Sequence, residues 1–232
     1  RFLILLCALV FSLGLSAKTY EGEKKYESYQ GLVMAGYQGW FNAPDDGARR
    51  GWYHYTGHDG FKPGSCTIDL WPEVSEYEKL YKTEFVFEDG SPAYTFSSYD
   101  ASTVDTHFRW MEEYGIDGVF MQRFVAEIRN KSGKKHFSKV LDSAMESANR
   151  HSRAICIMYD LSGMNPGDEN VLIADIKELA ERHSLFDHDS NPSYLYHNGK
   201  PLVTVWGVGF DDGRKYGYKE ADKILTALES MG

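Results

Sequence analysis

From Gly31 onward, short β-forming runs alternate with helical stripes, which restricts the chain to α/β folds built from parallel βα units. The predicted strands are 32–37, 93–97, 116–122, 154–159 and 202–208. Each is short, apolar and bounded by polar or turn residues, as strands buried on both faces are. Phe137, Val140, Leu141, Ala144, Met145 and Ala148 recur at helical spacing and predict a helix packed on the sheet. Val104, Phe108 and Met111 repeat that period, as do Leu172, Ile176, Leu179 and Ala180, and Ala221, Ile224, Leu225 and Leu228. Four helices are therefore expected to follow strands two to five.

The first unit is different. Residues 41–90 form a long insertion with Pro44, Pro63, Pro72 and many aromatics. Loops of this length are commonly functional or disordered, and the Trp and Tyr content favours an ordered wall over one end of the sheet. The fold expected is a (β/α)8 TIM barrel of which about the first five βα units are present, since a closed barrel takes eight units and typically about 250 residues. The competing architecture is an open doubly wound sheet, complete at five strands, but no glycine-rich phosphate loop follows the first strand.

Arg1 is followed by an unbroken apolar run, 2–15, and then by Ser16 and Ala17, the pattern of a signal peptide. The run is shorter than the roughly 18–20 residues that span a bilayer. The expectation is thus a leader at 1–17, a secreted or periplasmic product without a stable membrane span, and a single barrel domain over 18–232. A net charge of −9 leaves no basic stripe to neutralise phosphates and excludes nucleic acid as a partner. Cys66 falls in a loop and Cys156 in an apolar strand, read as two buried thiols rather than a disulfide. No cofactor is expected.

Barrel chemistry happens at the carboxyl ends of the strands. Those ends carry Tyr37, Gln38 and Trp40; Ser98, Tyr99 and Asp100; Gln122 and Arg123; Tyr159 and Asp160; and Trp206. Aromatic rings pack on the C–H faces of sugars, and fixed donors and acceptors suit their hydroxyls, so the set reads as a groove for an oligosaccharide or polysaccharide. Asp160 closes the run 154–160 and is the candidate acid or base. Asp100 has a rival role at the start of the following helix. In the insertion, 51–60 packs three aromatics with His54, His58 and Asp59, either an aromatic sugar wall or, as a weaker alternative, the ligands of a metal-dependent hydrolase. His107, His136 and His151 fall at helix positions remote from the strand ends and read as core or solvated face. Glycoside hydrolysis needs two carboxyl groups flanking the scissile bond, and no obvious pair is present.

The order Tyr37-Gln38-Gly39-Trp40-Phe41, Gly51-Trp52-Tyr53-His54-Tyr55, Asp69-Leu70-Trp71-Pro72, Thr106-His107-Phe108-Arg109-Trp110-Met111 and Gly118-Val119-Phe120-Met121-Gln122-Arg123-Phe124 resembles a bacterial branch of the glycoside hydrolases of families 71 and 99. The resemblance covers about 31–216. It implies a (β/α) barrel acting on α-linked glycans, endo-acting on mannan in family 99 and on α-1,3-glucan in family 71, and a substrate-contact role for His54, Tyr159, Asp160 and Trp206. In family 99 the catalytic pair is two glutamates within an Asn-Glu-Trp-His-Glu-Gly stretch late in the barrel. That stretch does not occur here, so the resemblance places the catalytic pair beyond residue 232. The alternative is a barrel that binds glycans without cleaving them.

Overall fold

The computed structural model describes residues 25–231, and the proposed leader lies outside them. The elements run β1 (Met34–Tyr37), β2 (Tyr81–Val86), β3 (Pro92–Thr95), α1 (Ala101–Tyr114), β4 (Gly118–Phe124), α2 (Val125–Ile128) and α3 (Lys131–His151). They continue with β5 (Ala154–Asp160), α4 (Glu169–Arg182), β6 (Tyr196–His197), β7 (Lys200–Pro201), β8 (Val203–Trp206) and α5 (Tyr218–Glu229).

β1, β4, β5 and β8 form one parallel sheet in that spatial order. Sequential parallel order needs every crossover to travel the same way, and crossovers of one hand put their helices on one face. The helices pack accordingly, α1 on α3, α2 on both α3 and α4, and α4 on α5. This is the α/β arrangement of consecutive barrel units, and the doubly wound order is excluded. Among the described residues no helix is long and apolar enough to cross a membrane.

One expected strand is placed elsewhere. The 93–97 run pairs antiparallel with β2, Tyr81 opposite Thr95, and makes no contact with the parallel sheet as a strand. The insertion therefore extends through β3, and α1 is the crossover helix of the first unit. Period alone could not show this, because a short apolar run reads the same in a hairpin and in a parallel sheet. Among the described residues the parallel sheet has four strands, not five.

The core lies between sheet and helices. Val119, Met121, Ile155 and Ile157 meet Val104, Phe108, Phe137, Val140, Leu141, Ala144, Leu172 and Ile176, all at 3% exposure or less. The α3 stripe buries as its spacing predicts. At its base β4 passes close to β5: a Cβ on Gly118 would sit 2.2 Å from the Ala154 carbonyl oxygen, so only glycine permits the approach.

The insertion is ordered, as its aromatic content predicted. Tyr55 stacks on Phe61, ring centroids 5.0 Å apart, and Phe61 lies parallel to Trp71. The Tyr55 hydroxyl donates to the Phe96 carbonyl and accepts from Thr95, tying the insertion to the hairpin. Its root is fixed by buried Asp46, which accepts hydrogen bonds from Asn42 (2.8 Å), Ser97 (2.7 Å) and the Ala48 amide (2.7 Å).

Candidate functional site at the carboxyl edge of the sheet

Side chains alternate faces along a strand, so neighbouring strand-end residues cannot share one groove. Register aligns Tyr37 with Met121 and Ile157 with Val203, and one step further on Arg123 with Tyr159 and Val205. This row faces the helices. Tyr37 is buried, with its hydroxyl 2.8 Å from Nδ1 of His107 on α1. Arg123, fully buried, donates from Nε (2.7 Å) and Nη2 (2.6 Å) to the two oxygens of Asp175 on α4, and the Tyr159 hydroxyl donates to the same carboxylate at 2.7 Å. Burial pulls the Arg123 guanidinium down, but Asp175 and Tyr159 outweigh it and hold it above its ordinary value. The Tyr159 phenol is pushed far up by burial and by Asp175. Tyr37, Arg123 and Tyr159, expected at substrate, are buried in this row, where their hydrogen bonds tie the helix layer to the sheet.

The intervening positions face the other way. Gln122 pairs in register with Met158 and Thr204, and Phe124 with Asp160 and Trp206. Trp206 is 49% exposed, and its ring meets Phe210 edge-on, 5.3 Å between centroids. Asp160, on the adjacent strand, takes one hydrogen bond among the described residues, from the Ser162 amide at 2.8 Å. Gln122 is buried and its Oε1 has no hydrogen-bond partner among the described residues. Gln38 is half-buried just past β1. A carboxylate beside an uncovered indole, with a carboxamide on the next strand, is an arrangement that can accept hydroxyl protons and pack a sugar ring.

At the β1 and β4 exits the insertion comes down on the edge. Trp40 stacks on His54 (4.1 Å between centroids, planes 17° apart) and on Phe124 (5.2 Å, 22°). Much of its ring is thus engaged within the protein, and the exposed ring of the stack is His54. Burial lowers the His54 imidazole, Glu127 opposes that, and Arg50 adds to it. Glu127, just past β4, accepts from Arg50 Nη2 at 2.6 Å and from the Tyr53 hydroxyl at 2.5 Å. Sequence reading missed Arg50 and Glu127. A carboxylate three residues past a strand end was the available signal, obscured because β4 runs two residues further than expected.

Asp100 does not serve as a side-chain cap. It heads α1 without a capping hydrogen bond and accepts from Tyr81 (2.6 Å) and Lys79 (3.0 Å), fixing the hairpin to the helix start. His107 and His136 are not remote from the strand ends: His136 contacts the Gly39 carbonyl just past β1, 2.8 Å from Nε2. The metal alternative finds no ligand set, since His54 is stacked, His58 turns to Asp59, and among the described residues no three His, Cys, Asp or Glu converge. The two thiols differ: Cys156 is buried but Cys66 is exposed, and both are free.

No protein-family model matches the chain, and no curated protein matches it in sequence. In structure it is similar to the GH99 endo-alpha-mannosidase from Bacteroides thetaiotaomicron, at a TM-score of 0.44 and 14% identity over 80% of this chain and 46% of that one. A second structure of that enzyme, in complex with BIS-TRIS-propane, gives 0.43 and 11% over 79% and 42%. The chain spans less than half the length of either. Overlap at this level says nothing of ligand or activity.

Proposed function

We propose that this chain forms the glycan-binding edge of an exported carbohydrate-active protein that hydrolyses α-linked mannan- or glucan-type polymers. The observation that carries the reading is the pairing of Trp206 with Asp160: a half-exposed indole on one strand end beside a carboxylate on the next, on the sheet face that the helices leave uncovered. A half-exposed indole offers a face on which the C–H face of a sugar can pack. Asp160 would orient a hydroxyl or transfer a proton. Export is supported by the apolar run 2–15 and the small residues after it.

The test is titration calorimetry of the chain with tetrasaccharides derived from α-mannan and from α-1,3-glucan. Wild type is expected to bind at least one of them, and Trp206→Ala to bind it about tenfold more weakly, a loss of about 1.4 kcal/mol. Absence of binding to both, or equal binding by the variant, contradicts the reading.

A further inference from the structure

We propose that Glu127 and His54 form a second glycan subsite on the insertion side of the edge, with Glu127 accepting sugar hydroxyls against the exposed His54 ring; this rests on the glycan reading above. Glu127 is presented rigidly. Its carboxylate is held by Arg50 and Tyr53, and the guanidinium lies over the Tyr53 ring, 3.7 Å from its centroid. The third residue of α3 accommodates it: a Cβ on Gly133 would fall 2.3 Å from the Glu127 carbonyl oxygen and 3.1 Å from Oε2. Glycine within a helix costs about 0.5–1 kcal/mol relative to alanine, and this one makes room for Glu127.

A latch between insertion and α2 would account for the ion pair but not for its asymmetry. The Arg50 side chain is 6% exposed, whereas that of Glu127 is 24% exposed. A carboxylate offers about four acceptor sites; Arg50 and Tyr53 engage two, leaving acceptor capacity on the solvent side. The His54 ring packs edge-on against Tyr53, which bonds Glu127, with 4.8 Å between the two ring centroids, and it stacks in turn on Trp40. A fixed acceptor beside an exposed ring plate matches the hydroxyl-and-C–H-face chemistry of a sugar.

The test compares Glu127→Gln, Tyr53→Phe and His54→Asn, the last chosen because asparagine tolerates the positive φ of 61° at that position. Each is titrated with the two tetrasaccharides and melted without them. Glu127→Gln is expected to bind at least tenfold more weakly. His54→Asn should lose about fivefold with an unchanged melting temperature, and Tyr53→Phe, which keeps the charge, less than threefold. Should Glu127→Gln fail to fold, His54→Asn alone decides. Wild-type affinity in His54→Asn, or in a folded Glu127→Gln, overturns the subsite while leaving the Trp206 reading intact. If wild type binds neither sugar, both readings fall.

Discussion

The two faces of the four-stranded sheet use the same residue types for opposite ends. Toward the helices, Arg123, Tyr159 and Asp175 form a fully buried set in which both carboxylate oxygens are bonded, although Arg123 Nη1 has no partner among the described residues. Away from them, Gln122, Asp160 and Trp206 are sparsely bonded; Gln122 and Asp160 are buried, and Trp206 is open to solvent. Polarity at a strand end does not by itself mark a ligand site, since alternation turns half of it toward the helices.

The largest expected effect lies on the closed face. Arg123→Met leaves Asp175 buried without its bidentate partner, and breaking a buried pair costs about 3–5 kcal/mol. Urea unfolding of the variant should show that loss; a change under 1 kcal/mol would dissolve the contrast between the faces.

Acid should attack the helix side next. Burial holds His107 and His136 down to about 4, whereas unfolded histidines protonate near 6.5. Between those values the unfolded chain binds more protons than the fold, so the histidine contribution falls as pH drops from about 6.5 to about 4 and is constant below. At about 1.4 kcal/mol per pKa unit, each ring contributes about 3 kcal/mol to that fall. His107→Gln, measured by denaturant unfolding at pH 7 and pH 4.5, should lose less between the two than wild type. An equal loss would show that His107 is not a source of the slope.

On the open face the effect on stability should be smallest. Trp206→Ala removes no core packing and should stay within about 0.5 kcal/mol of wild type, as substitutions at exposed positions do. A larger loss would return Trp206 to the structural class.

The βα alternation, the α3 stripe and the order of the insertion were legible from spacing and composition, because period and aromatic content reflect burial directly. The hairpin strand 92–95 was not, since nothing local separates it from a parallel strand. Among site residues, Asp160 and Trp206 were legible as strand ends, but Arg123 and Tyr159 were read together with Gln122 and Asp160 although alternation turns them to the opposite face. Glu127 and Arg50 meet across 77 positions of sequence, a pairing only the folded insertion creates.

Tyr159 and Asp160 are adjacent residues of one strand, and they separate the two faces most directly. Tyr159→Phe and Asp160→Asn each change a single polar function while keeping the shape. Tetrasaccharide affinity and unfolding free energy measured on both should divide: Tyr159→Phe binds as wild type but loses about 1–2 kcal/mol of stability through the buried bond to Asp175, while Asp160→Asn keeps its stability and binds at least tenfold more weakly. Weakened binding in a stable Tyr159→Phe, together with wild-type binding in Asp160→Asn, would contradict the assignment of the ligand to the open face.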